Sequence, residues 1–198
     1  MKGAVPDAAP FASLALQAVT ERLDGGADHC VLDLGPGIGV NIEFCLRIAS
    51  HVQVADLYDA LSTSMLGACS QGSERACCPV FPELLPAPPG RRADLVLAWT
   101  LLDYIDQDDL PRLAQHLRAI GAPGLLMHAL VSTRTRIPRL PTLFRIEPHG
   151  LLALPRTDEE CEGPRQGQVR LLERLPGFRV VRSVLLRNGL QEYLFALK

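Results

Sequence analysis

Residues 31–41 read VLDLGPGIGVN, a short apolar run that passes directly into a glycine-rich turn. Glycine occupies every second position from 35 to 39, and an acid, Asp33, stands just ahead of the first glycine. Glycine permits positive φ angles and lets a ligand come close to the main chain. A helix-like run over 40–49 follows at once, so free N–H groups at a helix N-terminus would face that ligand. The stretch predicts a strand, a ligand-binding turn and a helix, with a tight ligand-free turn as the alternative.

A second apolar run, HVQVADL at 51–57, ends in another acid, Asp56. The connection between the two runs has room for one helix and a loop, which predicts a βαβ unit with parallel strands. Parallel strands present their carboxyl ends at one edge of the sheet, where open α/β sheets bind ligands. Asp56 is therefore expected beside the glycine turn, where its carboxylate would accept hydrogen bonds from a ribose diol. A solvated acid at a strand end is the alternative.

The glycine spacing discriminates between nucleotide ligands. A dinucleotide site needs the pattern Gly-x-Gly-x-x-Gly, and when the pattern starts at Gly35 its last position falls on Val40. Asp33 would also repel a pyrophosphate, whereas it would attract an ammonium group. These two features together predict an adenosine that carries a cationic amino-acid tail, with its ribose at Asp56 and its tail at Asp33.

The segment 33–39 followed by Asp56 resembles the first motif and the distant acid of the class I S-adenosylmethionine-dependent methyltransferases. Later segments resemble the later strands and turns of that family, in the same order. They are 92–99, 101–105, 121–127, 177–181 and 192–197. The resemblance implies one α/β domain over 1–198, a Rossmann-like three-layer sandwich with a mostly parallel seven-stranded sheet and an antiparallel C-terminal strand. It also implies S-adenosylmethionine as the cofactor and methyl transfer as the activity.

The resemblance also assigns residues to the cofactor site. Phe81 stands where the family usually has an acid that binds the adenine amino group, so we expect Phe81 to stack on adenine or Glu83 to reach in. Residues 99–101 replace the Asn-Pro-Pro-aromatic sequence of enzymes that methylate exocyclic amines of bases or of glutamine, which argues against such acceptors. The cofactor-binding residues are predicted to be Asp33, Gly35, Pro36, Gly37, Gly39, Asn41, Asp56, Leu57, Phe81 and Trp99.

Residues after the presumed fourth and fifth strands are the candidates for the acceptor site. Asp103 and Tyr104 are expected to face the acceptor, although Asp103 could instead cap the next helix and Tyr104 could pack in the core. His149 is the candidate base, because His128 lies inside a strand and is expected to be buried and satisfied. The substrate-binding residues are predicted to be Asp103, Tyr104, Arg134, Arg136 and His149.

Arginines are concentrated after the presumed fifth strand. Arg134, Arg136, Arg139 and Arg145 are threaded through prolines, which hold a chain extended and prevent a helix. We therefore predict an irregular substrate-side insertion around 132–165 that shapes acceptor specificity. Its arginines would line the mouth of the site and bind an anionic acceptor, with a solvated loop as the alternative. In this stretch there is one aromatic residue and no lysine, which, with a pI near 6.2, argues against a nucleic-acid surface.

The predicted function is methyl transfer from S-adenosylmethionine to a small or medium-sized acceptor. A carboxylate, thiolate or nitrogen acceptor would need no catalytic base, whereas a hydroxyl or carbon acceptor would need one. The sequence identifies no catalytic residue. The alternative is a non-catalytic module that binds S-adenosylmethionine or a protein partner without turnover, motivated by Phe81 and by the lack of an evident base.

The overall composition fits one folded domain. The chain has 198 residues, of which 47% are hydrophobic and 21% are charged. No apolar run is long enough to span a bilayer, and residues 1–10 lack the pattern of a signal peptide, so neither export nor a membrane partner is expected. The six cysteines lack Cys-x-x-Cys spacing, which predicts reduced thiols, no metal site and a cytoplasmic protein. The sequence leaves open whether the chain forms a homodimer.

Apolar periodicity adds three helices and a hairpin. The helices are predicted over 8–23, 109–119 and 166–175, the first of them packing across the sheet edge or over the donor pocket. The final hairpin is predicted to turn at 187–189.

Overall fold

The computed structural model of the chain describes residues 9–23, 28–59, 81–163 and 168–198. The strands are β1 (Cys30–Asp33), β2 (His51–Val54), β3 (Ala93–Trp99), β4 (Gly121–Ser132), β5 (Arg136–Pro138), β6 (Leu143–Glu147), β7 (Gly150–Leu154), β8 (Glu160–Glu162), β9 (Phe178–Leu185) and β10 (Leu190–Leu197). The helices are α1 (Leu14–Leu23), α2 (Gly39–Ile48), the single turn α3 (Phe81–Leu84), α4 (Leu110–Ile120) and α5 (Gln168–Arg174), with a 3-10 turn at Leu101–Asp103.

A six-stranded sheet of order β2-β1-β3-β4-β10-β9 forms the centre of the described residues. β1 pairs in parallel with β2 and β3, and β3 pairs in parallel with β4. β10 lies between β4 and β9 and runs antiparallel to both. The predicted α/β fold, with a mostly parallel sheet and an antiparallel C-terminal strand, is confirmed. The seventh strand implied by the resemblance would end just before Phe81 and lies outside the described residues.

The central strands are apolar because the sheet is covered on both faces. All four residues of β1 are buried, and every residue of β3 except Asp94 is buried. Burial on both faces is typical of central parallel strands. α4 has the complementary pattern, since its buried side chains recur at helical spacing. They are Leu110, Leu113, Ala114, Leu117 and Ile120. Each fully buried leucine contributes roughly 1.5–3 kcal/mol, so this frame holds the strand ends firmly in place.

The helices and the hairpin predicted from periodicity are present. α1 falls within 8–23, α4 is shifted by one residue from 109–119, and α5 lies within 166–175, whose residues 166 and 167 are outside the described residues. α1 packs against β4, β9 and β10, which agrees with the predicted position across the sheet edge. Gly189, with a φ of 84°, reverses the chain between β9 and β10. No helix of the described residues is both long and apolar enough to cross a membrane.

The segment predicted as an irregular insertion instead forms two antiparallel ribbons. β5 pairs with β8, and β6 pairs with β7. The prediction was wrong because a proline removes only one backbone donor: Pro138 ends a strand, whereas Pro141 and Pro148 lie in connections. The β6–β7 hairpin also bonds to the N-terminal segment, since the N–H groups of Phe11 and Leu151 each donate to the other residue's carbonyl. This contact requires the glycine at 150, where a Cβ would lie 1.9 Å from the Phe11 oxygen.

Candidate functional site

Three strands end side by side at the edge of the sheet that was predicted to bind a ligand. β1 ends at Asp33, which is in register with Val54 of β2 and Leu97 of β3. Asp56 lies just beyond β2 and Trp99 ends β3, with φ angles of 41° and 49°. They are the only non-glycine residues with positive φ in the described ranges. Such backbone strain costs about 1–3 kcal/mol and concentrates at functional sites, which marks this edge as the candidate site.

Asp56 has a carboxylate oxygen that no group in the described parts of the protein satisfies. The main chain on either side is fixed, because the N–H of Ala55 donates to the Asp33 carbonyl at 2.8 Å and the N–H of Leu57 donates to the Leu34 carbonyl at 2.9 Å. Oδ1 of Asp56 is buried and has no hydrogen-bond partner. A buried unsatisfied acceptor costs on the order of 1–3 kcal/mol, which a ligand hydroxyl would remove. Leu57 is buried, so it positions Asp56 through its backbone.

The carboxylate of Asp33 is engaged by its own chain. Its Oδ1 accepts hydrogen bonds from Trp99 Nε1 at 2.6 Å and from the N–H of Gly35 at 2.9 Å. Burial raises the pKa of Asp33 to about 6; the two hydrogen bonds oppose this rise, and the nearby charge of Asp56 adds to it. The Trp99 indole thus occupies the carboxylate oxygen near which the ammonium group is predicted to bind, and the role of Asp33 in holding that group stays a prediction.

The three glycines of the turn differ in what surrounds them. None of them has a φ in the left-handed region, so the positive φ angles that the sequence suggested do not occur there. Gly35 faces the Trp99 ring, and a Cβ at this position would lie 2.8 Å from Cδ1 and 2.9 Å from Nε1. A Cβ at Gly37 would meet only ordinary contacts from 3.6 Å outward, and one at Gly39 would meet nothing within 4 Å. Internal packing therefore requires Gly35, whereas Gly37 and Gly39, together with half-buried Pro36, leave the turn open to a ligand.

Trp99 is the centre of an aromatic cluster at the glycine turn. The Phe144 ring of β6 stacks on it, with the centroids 6.1 Å apart and an interplanar angle of 7°. His128 packs edge-on against Trp99 at 5.8 Å, and Phe11 packs edge-on against Phe144 at 6.4 Å. Trp99 lies at the predicted cofactor edge, but only 3% of its surface is exposed, because the protein's own rings cover it.

Asn41 joins this cluster to α2. Its side-chain N–H donates to the Phe144 carbonyl and its Oδ1 accepts from the N–H of Ile146, both at 2.8 Å. The residue is 1% exposed. Both polar groups of Asn41 therefore hold β6 against the first turn of α2, and its role as a cofactor-binding residue stays a prediction.

Phe81 is packed in the core. It begins α3, and its side chain is 2% exposed. The ring is covered by the protein here, and the predicted stacking on adenine stays a prediction. Glu83 is exposed on the same short turn. Residues 60–80, which lead into this turn, lie outside the described residues.

Asp103 and Tyr104 follow β3 but point into the protein. Oδ2 of Asp103 accepts from the N–H of Ser132 at 2.8 Å, and the Tyr104 hydroxyl donates to the Pro138 carbonyl at 2.7 Å. Burial raises the pKa of Asp103 to about 7, with the Ser132 bond opposing the rise, and Oδ1 has no partner. Tyr104 thus holds β5 in place, whereas Asp103 retains one buried oxygen without a partner. The contacts of both residues with the acceptor stay predictions.

The arginines predicted to bind an anionic acceptor are paired with acids of the ribbons. Arg136 pairs with Glu160 at 3.2 Å and Arg139 pairs with Glu159 at 3.8 Å. Exposed pairs such as these contribute little to stability. At these two positions the guanidinium groups face glutamates, and their contact with an anionic acceptor stays a prediction.

Arg134 and His149 lie apart from the three strand ends. Arg134 is exposed and donates to the Asn188 carbonyl at 3.1 Å, in the turn between β9 and β10. His149 is exposed in the turn between β6 and β7. In the described part of the chain neither residue forms a hydrogen bond or an ion pair with Asp33 or Asp56, and their roles at the acceptor stay predictions.

His128 is buried, as predicted, but the polar cluster that it joins beside Trp99 was not predicted. Oε1 of Glu192 accepts from Ser13 Oγ and from His128 Nε2, the latter at 3.1 Å, while Oε2 accepts from the N–H of Ala15 at 3.1 Å. Burial raises the pKa of Glu192, but the hydrogen bonds from His128 and Ser13 outweigh it, and the pKa falls below its usual value. The alternation of strand residues could have found the cluster, since Leu194 pairs with His128 and Glu192 lies two residues before it on the same face.

Known structures share this architecture. The chain matches an S-adenosylmethionine-dependent methyltransferase of Clostridium acetobutylicum ATCC 824 with a TM-score of 0.53 and 15% identity, over 92% of this chain and 89% of that one. It matches the 1,6-didemethyltoxoflavin-N1-methyltransferase of Burkholderia thailandensis, solved with 1,6-didemethyltoxoflavin and S-adenosylhomocysteine, with a TM-score of 0.51 and 16% identity, over 93% and 79%. The pyocyanin biosynthetic protein PhzM matches with a TM-score of 0.51 and 17% identity; 93% of this chain is covered, and it spans 55% of PhzM. No protein-family model and no curated protein sequence matches the chain.

At these identities the matches establish a shared fold. The chain therefore has the fold of the class I S-adenosylmethionine-dependent methyltransferases.

Proposed function

We propose that the chain binds S-adenosylmethionine at the carboxyl edge of β1, β2 and β3 and transfers its methyl group to a small or medium-sized acceptor. The observation that carries this proposal is the buried, unpartnered Oδ1 of Asp56, on a residue held at positive φ. A ribose hydroxyl would donate to that oxygen. Gly37 and Gly39 would let the ligand approach the main chain at the start of α2.

The residues present fit the two ends of this cofactor differently. Asp56 would hold the ribose directly, because its free oxygen needs a donor. Asp33 would hold the ammonium group of the amino-acid end after a change at Trp99, which now engages Oδ1. The cofactor supplies an electrophilic methyl group; the protein contributes alignment of the donor with the acceptor, worth up to about 7–11 kcal/mol.

The acceptor is the least specified part of the proposed function. The pairing of Arg136 and Arg139 with glutamates gives no support to an anionic acceptor. Asp103, which follows β3, has a buried oxygen without a partner, and in its ionised form this oxygen accepts a hydrogen bond from an O–H or N–H group of an acceptor. We therefore favour a neutral acceptor that enters beside the ends of β3 and β4.

Calorimetric titration with S-adenosylmethionine and S-adenosylhomocysteine tests the proposed site. We expect binding by the unmodified chain, loss of binding in Asp56→Asn, and unchanged binding in the matched control Asp158→Asn, whose carboxylate is exposed on a ribbon loop. Binding that survives Asp56→Asn would overturn the placement at Asp56. If neither ligand binds the unmodified chain, the proposed function is wrong.

A non-catalytic binding module is the second candidate function. The observation that favours it is that Trp99 and Phe144 fill the space beside Asp33, where a cofactor's tail would lie. Incubation with S-adenosylmethionine and a cell extract, followed by mass-spectrometric measurement of S-adenosylhomocysteine, separates the two candidates. Product formation that depends on the chain and on Asp56 supports the methyltransferase. Binding without product formation supports the module.

A further inference from the structure

Asp33 makes one hydrogen bond that a cationic ligand would have to compete with. The Trp99 Nε1–H donates to Oδ1 at 2.6 Å, and the carboxylate is only 1% exposed. A pKa of about 6 leaves Asp33 mostly ionised at pH 7.5, so this is a charge-assisted bond. An ammonium group carries a full positive charge and would bind the same carboxylate more strongly than a neutral indole.

The Trp99 ring stands directly against the glycine turn. Its Cδ1 and Nε1 lie within 3 Å of the position that a Cβ on Gly35 would take. The backbone of Trp99 is in the left-handed region, at a cost of about 1–3 kcal/mol, and the Phe144 ring stacks on the indole. The indole is therefore held in place by Asp33 and Phe144 against the strain of its own backbone.

We propose that Trp99 determines ligand specificity: its indole occupies the ammonium subsite at Asp33 and is displaced by the cationic tail of the ligand. This inference rests on the proposed function and concerns one end of its ligand. Adenosine needs only Asp56 and binds with Trp99 in place. S-adenosylmethionine and S-adenosylhomocysteine carry the ammonium group, and they bind with Trp99 moved away from Asp33 and from Phe144.

The displacement makes ammonium-bearing ligands bind less tightly than an open subsite would allow. A hydrogen bond to a charged group corresponds to a factor of about ten or more in affinity. Trp99→Phe removes the competing donor and keeps a ring beside Phe144. We therefore expect Trp99→Phe to bind S-adenosylhomocysteine about tenfold more tightly than the unmodified chain does, and to bind adenosine with unchanged affinity.

Tryptophan fluorescence of the unmodified chain tests the displacement without any substitution. Trp99 is the only tryptophan in the sequence, so the emission reports on this ring alone. We expect S-adenosylhomocysteine to shift the emission maximum to longer wavelength as the indole leaves its buried stack. Adenosine carries the same base and ribose, and it should leave the maximum unchanged. An equal response to the two ligands, or no response to S-adenosylhomocysteine when calorimetry shows it bound, overturns the inference.

Calorimetry on variants tests the competition itself. Asp33→Asn removes the charged partner of the ammonium group. It should lower the affinity for S-adenosylhomocysteine and leave the affinity for adenosine unchanged. Tyr193→Phe, a conservative aromatic change on β10, is the control and should alter neither affinity. Weaker binding of S-adenosylhomocysteine by Trp99→Phe overturns the inference, while loss of both ligands in Asp56→Asn would still support the proposed site. If the unmodified chain binds neither ligand, the inference and the proposed function both fail.

Discussion

Gly35 illustrates how a single missing side chain fixes the geometry of the candidate site. A Cβ at this position would press on Trp99, which Phe144 and His128 already enclose. We predict that Gly35→Ala lowers the free energy of unfolding by about 1–3 kcal/mol, the usual cost of overpacking. Gly39→Ala is the matched control, because nothing lies within 4 Å of its Cβ, and stability should stay within about 1 kcal/mol. Urea unfolding followed by circular dichroism measures both, and equal losses in the two variants would refute the steric explanation.

The two acids of the candidate site, Asp33 and Asp56, show how much of a site a sequence can predict. Strand patterns placed Asp33 and Asp56 at neighbouring strand ends, and the structure puts them there. The partners of each carboxylate did not follow from the pattern, because Trp99 reaches Asp33 across 66 positions of sequence and through an unusual φ angle. Periodicity reports which side of a strand a residue faces, but it carries no information about a side chain that bends back over a turn.

At the scale of the element, a carboxylate of strand β10 holds the first turn of helix α1. Glu192 of β10 accepts from Ser13 and from the N–H of Ala15, and His128 donates to the same carboxylate. Ser13 also caps the helix, since its Oγ accepts from the N–H of Leu16 at 3.1 Å. An anion at a helix N-terminus is further stabilised by the helix dipole. The anchoring of α1 therefore depends on the ionised state of one buried side chain.

We predict that Glu192→Gln destabilises the protein at neutral pH by roughly 1–3 kcal/mol and lowers hydrogen-exchange protection first in α1. The folded protein lowers the pKa of Glu192, so the carboxylate's stabilisation is complete above its ordinary pKa of 4.5 and is lost as the pH falls through the lower folded value. The stability difference between the variant and the unmodified chain should therefore shrink in acid. Glu162→Gln, an exposed change on β8, is the control. A difference that stays constant down to acid pH would contradict the assignment to the carboxylate.

Elements differed in how well the sequence predicted them. α4 was predicted almost to the residue, because its apolar side chains recur at helical spacing and its packing needs no distant partner to be recognised. β5 to β8 were missed, because they are three to five residues long and their pairing joins residues up to 26 positions apart. Short ribbons are stabilised by what they pack on, and a local pattern does not contain that information.

At the scale of the whole molecule, the β6–β7 hairpin links parts of the chain that are far apart in sequence. It bonds to the N-terminal segment through Phe11 and Leu151, to α2 through Asn41, and to β3 through the stack of Phe144 on Trp99. A ligand that moves Trp99 would therefore act on the hairpin. The hairpin follows β4 and β5 in the chain, and we expect the acceptor to enter beside the end of β4. The hairpin provides a physical connection between the cofactor end and the acceptor end of the proposed site.

We predict that Asn41→Ala loosens this connection without unfolding the sheet. The change removes both hydrogen bonds between α2 and β6 and leaves a buried N–H and a buried carbonyl unsatisfied, at a cost of about 2–4 kcal/mol. Because Phe144 would separate from the indole, the emission of Trp99 should move to longer wavelength even without ligand. Glu43→Ala, an exposed change on the same helix, should leave both stability and emission unchanged. If Asn41→Ala lowers the stability but the emission maximum does not move, Trp99 is held by Asp33 alone, and the hairpin does not couple the two ends of the site.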